Sequence, residues 1–294
     1  LVQGIIMIGT LVILPIVAFI ELNSLPEVNF SFNSATLYGG KSGLAALTAA
    51  IGGLSWGLGY MGQPHLVTRF MAIDKPESIK TSRRIAISWA VPAFFGSLFI
   101  GLTGLFLLES GSMAFEGHML SSISSLSDPE KIMPIMAQNL LHPWLAGIFI
   151  SGAIAAMMST ADSQLLVTTT VLTEDVIANY FKHLRNRIDL LFVGRVLTII
   201  IGLLAFYLAW QSTDLVFEMV SYAWGGLGAS FGPALLLTLW WKKASKMGII
   251  AGMVSGTLFT VVDLFGNWVT ARFSAFVIAF ICVVIFSILK PDED

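Results

Sequence analysis

Gly52-Gly53-Leu54-Ser55-Trp56-Gly57-Leu58-Gly59-Tyr60-Met61-Gly62-Gln63-Pro64 lies within a long apolar run and decides how the rest of the chain is read. It holds five glycines and a proline in thirteen residues. In a helix interior each Gly costs about 1 kcal/mol and a Pro about 3 kcal/mol relative to Ala, so the composition predicts an unwound segment. In hydrocarbon, freed backbone groups are tolerated only where they are buried in protein or line a polar cavity. Trp56 and Tyr60 stand four apart and therefore share a face. Two readings are open at this point: an aromatic belt with glycine packing, or a break in a membrane helix lined for a ligand.

Composition places that stretch in a bilayer. Of 294 residues, 56% are apolar and 12% charged, with a mean hydropathy of +0.83. Soluble domains carry about 25% charged residues, so a soluble protein is excluded, and disorder with it. Sixteen Lys and Arg against eighteen Asp and Glu give a net charge of −2, which excludes a nucleic-acid partner. The single cysteine, Cys282, makes neither an internal disulfide nor a cysteine metal cluster.

Eight apolar stretches follow, at residues 2–20, 43–66, 84–108, 133–172, 190–210, 215–241, 247–266 and 272–289. A crossing helix needs about 20 residues, and none of the stretches alternates with period two. The expectation is an all-α polytopic membrane protein with about eight transmembrane helices. The first stretch starts at Leu1 without Met or a basic flank, so it reads as the beginning of a truncated chain rather than a signal peptide.

Charge sets the orientation. Arg69, Lys75, Lys80, Arg83, Arg84, Lys182, Arg185, Arg187, Arg195, Lys242, Lys243, Lys246 and Lys290 fall on one side of an eight-span plan. Only Lys41, Lys131 and Arg272 fall on the other. Thirteen against three predicts a cytoplasmic C-terminus. Segments 21–42 and 109–131 become outer loops, the first containing a glycosylation sequon at Asn29-Phe30-Ser31. Segment 173–195 becomes a solvated cytoplasmic loop. Asp214, Glu218 and Asp263 sit near outer ends, where water reaches them.

Several motifs have plain structural readings. Gly53-Leu54-Ser55-Trp56-Gly57 matches a nucleophile elbow in letters, but an elbow requires a preceding strand. His65, His118, His142 and His183 are scattered without metal spacing. Gly225-Gly226-Leu227-Gly228 is too loose for a dinucleotide loop. Gly248, Gly252 and Gly256 repeat every fourth residue and make a flat face for close helix packing.

The fourth stretch carries a second informative segment, Ala156-Met157-Met158-Ser159-Thr160-Ala161-Asp162-Ser163-Gln164. Residues 156, 159 and 160 stand at i, i+3 and i+4, on one helix face. A carbonyl from Ala156 with hydroxyls from Ser159 and Thr160 offers three neutral oxygens, a set suited to a small hard cation but too few to replace its hydration. The alternative is that each hydroxyl bonds back to the carbonyl one turn earlier. Asp162 is a costly group at this depth and marks a polar path. It is offset from the Ser159 face, which predicts a place behind the ligating oxygens or on the cation's cytoplasmic pathway rather than direct ligation.

These residues resemble the sodium:solute symporter family, most closely its proline branch, over nearly the whole chain. The resemblance is carried by Ser55 to His65, by Ser151-Gly152-Ala153-Ile154-Ala155-Ala156-Met157-Met158-Ser159-Thr160 with Ser163 to Val167, and by Val220-Ser221-Tyr222-Ala223-Trp224-Gly225-Gly226-Leu227-Gly228-Ala229-Ser230-Phe231-Gly232-Pro233. It implies a partial inverted-repeat fold of five plus five helices with a midplane site. Residues 1–20 would be the last helix of a first repeat lacking its first four helices. Residues 43–241 would form the second repeat, and 242–294 two peripheral helices with a short tail.

By the same resemblance, Trp56, Tyr60 and Pro64 fall on substrate-site positions and Ala156, Ser159 and Thr160 on sodium-ligand positions. Asp162 departs from some members, which carry a small or hydroxyl residue there. The implied function is sodium-coupled import of L-proline across the plasma (inner) membrane, without enzymatic chemistry or an organic cofactor. The implied partners are proline, the sodium ion and the lipid bilayer. A symporter for another small solute, such as pantothenate or a monocarboxylate, and a symporter-like sensor module of a signalling protein are the alternatives. By the same resemblance, these 294 residues alone are expected not to transport, because half of each site would lie on helices outside them.

Overall fold

The computed structural model describes residues 2–25, 41–120, 122, 126, 128–180, 189–263 and 271–292. The sequon Asn29-Phe30-Ser31, most of segment 21–42 around it, and Lys182, His183, Arg185 and Arg187 lie outside the described residues, as does the side chain of Asp263.

Helices build the chain: α1 (Val2–Ser24), α2 (Gly43–Tyr60), α3 (Pro64–Met71), α4 (Ser78–Glu109), α5 (Ile132–Leu140), α6 (Pro143–Thr170), α7 (Leu190–Gln211), α8 (Val216–Trp240), α9 (Lys246–Asp263) and α10 (Ala271–Leu289). Among the described residues, five helices are long and apolar enough to cross a membrane, and α2 with α3 make a sixth as a bent pair. The remaining two apolar stretches became α8 and α9. The first is 25 residues long but diluted by Gly225, Gly226, Gly228, Ser230, Gly232 and Pro233, which serve packing rather than lipid contact. In the second, the apolar part is Lys246–Val262, just short of a full crossing. The all-α polytopic expectation therefore stands.

Three sequence expectations change. The run 133–172 is not one helix: it breaks at Leu141–His142, where His142 (ψ 141°) caps α6 and Pro143 occupies its first turn. A proline fits there because its missing N–H has no helical partner in any case. Segment 173–195 does not begin as a loop, since α6 runs on through a π-helical turn, Val171–Ile177, to Ala178–Tyr180. Segment 109–131, expected as an outer loop, contains a hairpin, with β1 (Met113–Phe115) paired antiparallel to β2 (His118–Leu120). Its turn residues Glu116 and Gly117 both have positive φ, at 52° and 81°.

The chain divides into two compact units, residues 1–30 with 73–213 and residues 31–72 with 214–294. In the first, α1 packs on α4 and α6. Its core gathers Leu14, Ala18 and Leu22 of α1 with Leu107 and Leu108 of α4 and Met136 of α5. Gly96 admits the Leu11 carbonyl, and Gly152 admits the Ile6 side chain. Asn139 clasps the hairpin, accepting from the Ala114 N–H at 3.0 Å and donating to its carbonyl at 2.9 Å.

The second unit comprises α2, α3, α8, α9 and α10. The Gly248, Gly252 and Gly256 face does what its spacing predicts. A Cβ at the first would strike Ser287, at the second Val283, and at the third the Ala229 carbonyl. Close approach of this kind is how helices associate where lipid removes the hydrophobic drive.

Candidate functional site

The glycine-rich segment is less unwound than its composition predicts. Backbone geometry stays helical through Tyr60, and the break is confined to Met61–Gln63, with a bend of 42° between α2 and α3. Packing replaces what propensity loses. A Cβ on Gly59 would meet the Trp224 indole, and one on Gly62 would fall on the Leu227 carbonyl oxygen. Gly228 in turn lies against the Gly59 backbone. The glycines are thus the condition for α2 and α8 to touch.

Gln63 holds the break. Its side chain is 1% exposed and donates from Nε2 to the Gly59 carbonyl and to the Trp224 carbonyl, each at 3.2 Å. Gln63 (φ −80°, ψ 113°) then caps α3, and Pro64 takes the first helical position. Pro64 begins the second half-helix here rather than kinking an unbroken one, as residue geometry before a proline demands.

Trp56 and Tyr60 share a face, as their spacing requires, and that face meets α8. The Trp56 ring stacks on Phe217 with centroids 5.6 Å apart and tilts against Trp224 at 6.0 Å. Tyr60 meets Trp224 edge-on at 4.9 Å and remains 44% exposed. His65 approaches the same indole at 6.1 Å. Arg272, at the start of α10, sets its guanidinium carbon 5.8 Å from the Trp56 ring centre, within cation–π range. The result is an aromatic cluster beside a helix break. It offers flat apolar faces, a phenol and a positive charge.

Phe217, Gln63 and Trp224 were not singled out from the sequence. The available signal was the stripe Phe217, Ser221, Trp224 and Gly228, spaced i, i+4, i+7 and i+11 along α8. The elbow-like Ser55 is a helical residue whose Oγ donates to the Gly52 carbonyl at 2.6 Å, with no strand before it.

Ala156, Ser159 and Thr160 lie in the other unit, on α6, with Ala156 half-buried and both hydroxyl residues exposed. Thr160 takes the back-bonding arrangement, donating from Oγ1 to the Ala156 carbonyl at 3.2 Å, while the Ser159 carbonyl accepts from Ser163 Oγ at 2.9 Å. Asp162 is exposed on the same helix. Among the described residues no group of three or more His, Cys, Asp or Glu side chains forms a metal site.

Among the described residues, five membrane-length helices and a bent pair beside an aromatic cluster make this a polytopic membrane protein. The sodium:solute symporter family profile matches residues 1–256, and the chain belongs to that family. It is 36% identical over 280 residues to the high-affinity proline transporter PutP of Bacillus subtilis, covering 94% of this chain and 55% of that protein. It is 35% identical over 267 residues to sodium/proline symporter 2 of Staphylococcus saprophyticus, covering 88% and 49%. It is 34% identical over 274 residues to the osmoregulated proline transporter OpuE of Bacillus subtilis, covering 92% and 52%. The chain spans about half the length of the curated relatives it matches.

Proposed function

We propose that the protein to which this chain belongs is a sodium-coupled symporter importing L-proline. The observation that carries the reading is the break at Met61–Gln63, placed directly after the Trp56–Tyr60 face. Relatives named as proline transporters and sodium/proline symporters support the cargo and the coupling ion. A small zwitterion with an apolar ring suits such a site. Trp56 would cover the pyrrolidine ring and Tyr60 would offer its hydroxyl, with Pro64 fixing the start of the second half-helix. No covalent chemistry and no organic cofactor enter the cycle.

Sodium would be held by the Ala156 carbonyl and the Ser159 and Thr160 hydroxyls, which share one face of α6. Rotating the Thr160 hydroxyl off the Ala156 carbonyl would free lone pairs on both oxygens for a cation. Asp162 would lie on the cation's cytoplasmic path. Coupling is differential affinity, with sodium favouring the proline-competent arrangement by about 1–3 kcal/mol. The membrane potential supplies about 2.3 kcal/mol per charge per 100 mV. The distribution of basic residues supports a cytoplasmic C-terminus in the plasma membrane. The repeat plan, with residues 43–241 as one five-helix unit, belongs to the same proposal.

The cargo is tested by competition. Labelled L-proline bound to the full natural polypeptide in sodium is challenged with excess unlabelled proline, pantothenate, lactate or galactose. Displacement by proline alone supports the reading. Displacement by another of these solutes at lower concentration than proline assigns the cargo elsewhere.

A further inference from the structure

Among the described residues, many helical hydroxyls satisfy themselves within their own helix. Thr10, Thr103, Thr169, Ser230, Thr238 and Thr260 each donate to a carbonyl one turn back. That is the usual way a hydroxyl inside a helix satisfies itself. Ser221 does not. It is 4% exposed, and its Oγ has no hydrogen-bond partner. One turn further along α8, the Nε1 of Trp224 is likewise buried without a partner.

The two orphans face one place. Phe217 and Trp224 both contact the Trp56 ring, and Gly228 packs on Gly59. Ser221 stands between them on the same stripe of α8, so it faces α2 as they do. Arg272 brings its positive charge to the Trp56 side of this cluster. A buried donor left unsatisfied is costly, and in native proteins such groups call for an explanation. Two of them, one turn apart and beside a cation, suit a bound anionic oxygen group.

We propose that Ser221 Oγ–H and Trp224 Nε1–H are substrate-binding donors that receive the carboxylate of the transported amino acid when the α2–α8 seam opens. This inference rests on the symporter reading above and extends its site from α2 to α8. Trp56 and Tyr60 hold the apolar ring, and the α8 pair reads the carboxylate. The discriminated class is small amino acids with a free carboxylate.

The test uses the purified full natural polypeptide in detergent, with labelled L-proline binding measured in saturating sodium. Ser221→Ala removes one donor, and Trp224→Phe removes the other while keeping an aromatic ring. Each is expected to weaken proline binding about tenfold, the size of one lost hydrogen bond to a charged group. Sodium affinity without proline stays unchanged. In Ser221→Ala the thermal midpoint without ligand stays the same or rises, because an unsatisfied buried group has been removed. Wild-type proline affinity in both variants overturns the inference. So does a lowered ligand-free midpoint or failure to fold in Ser221→Ala, either of which makes the serine a structural residue. Absence of proline binding by the wild-type protein is a different result and overturns the symporter reading itself.

Discussion

The side-chain amide of Gln63 donates to the main-chain carbonyl of Trp224 at 3.2 Å, across 161 residues of sequence. The same nitrogen also serves the Gly59 carbonyl at 3.2 Å, so one buried side chain ties the broken span to α8. Gln63→Leu keeps the volume and deletes both bonds, leaving two carbonyls without this donor. The expected loss is about 1–3 kcal/mol of stability, read as a lower thermal midpoint in detergent. An unchanged midpoint would show that the break is held by packing alone.

Glycine substitutions separate contact from propensity. In Gly62→Ala the new methyl falls on the Leu227 carbonyl and the Gly228 Cα, backbone atoms that cannot swing aside. Overpacking of this kind costs about 1–3 kcal/mol. Gly202→Ala, on α7, meets nothing within 4 Å, so it should lose no stability and gain up to about 1 kcal/mol from helix propensity. Equal losses in the two variants would contradict the close approach of α2 and α8.

The glycine face of α9 gives a parallel case. Gly252→Leu would drive its side chain into Val283 and the Ala279 carbonyl of α10. The expected result is a lower yield of folded protein and a depressed midpoint. Cysteine cross-linking between α9 and α10 provides the check, since separated helices lose their cross-links.

Ser159→Ala and Thr160→Ala test the cation face of α6. Each is expected to raise the sodium concentration for half-maximal proline uptake roughly tenfold, corresponding to about 1.4 kcal/mol. Thr160 also donates its hydroxyl to the Ala156 carbonyl, so its deletion should leave the protein slightly less stable. Sodium dependence unchanged in both variants would remove these residues from the site.

Much of this architecture was legible before any coordinates, because length and hydropathy leave little freedom to a chain in lipid. The face shared by Trp56 and Tyr60 followed from helical spacing, and so did the packing face of Gly248, Gly252 and Gly256. What spacing could not show was contact over long sequence separation. Trp224 and Phe217 meet Trp56 from another helix, and nothing local in either segment announces the pairing. The unwinding is less extensive than composition predicts for a related reason. Glycine is unfavourable in an isolated helix, yet Gly59 is retained in α2 because only a bare Cα admits the Trp224 indole and Gly228. Tertiary packing overrode propensity. The break near Leu141 lay inside a stretch read as one apolar run, although Gln138, Asn139, His142 and Pro143 marked it.

One measurement bears most directly on the central claim, that an aromatic-lined helix break serves sodium-driven movement of proline. The full natural polypeptide is reconstituted in liposomes, and entry of labelled L-proline is followed with an inward sodium gradient or with potassium in its place. The account predicts concentrative uptake only with sodium, and a raised half-saturation for proline in Trp56→Ala with sodium dependence preserved. Equal uptake in potassium, or an unaltered half-saturation in Trp56→Ala, would contradict it.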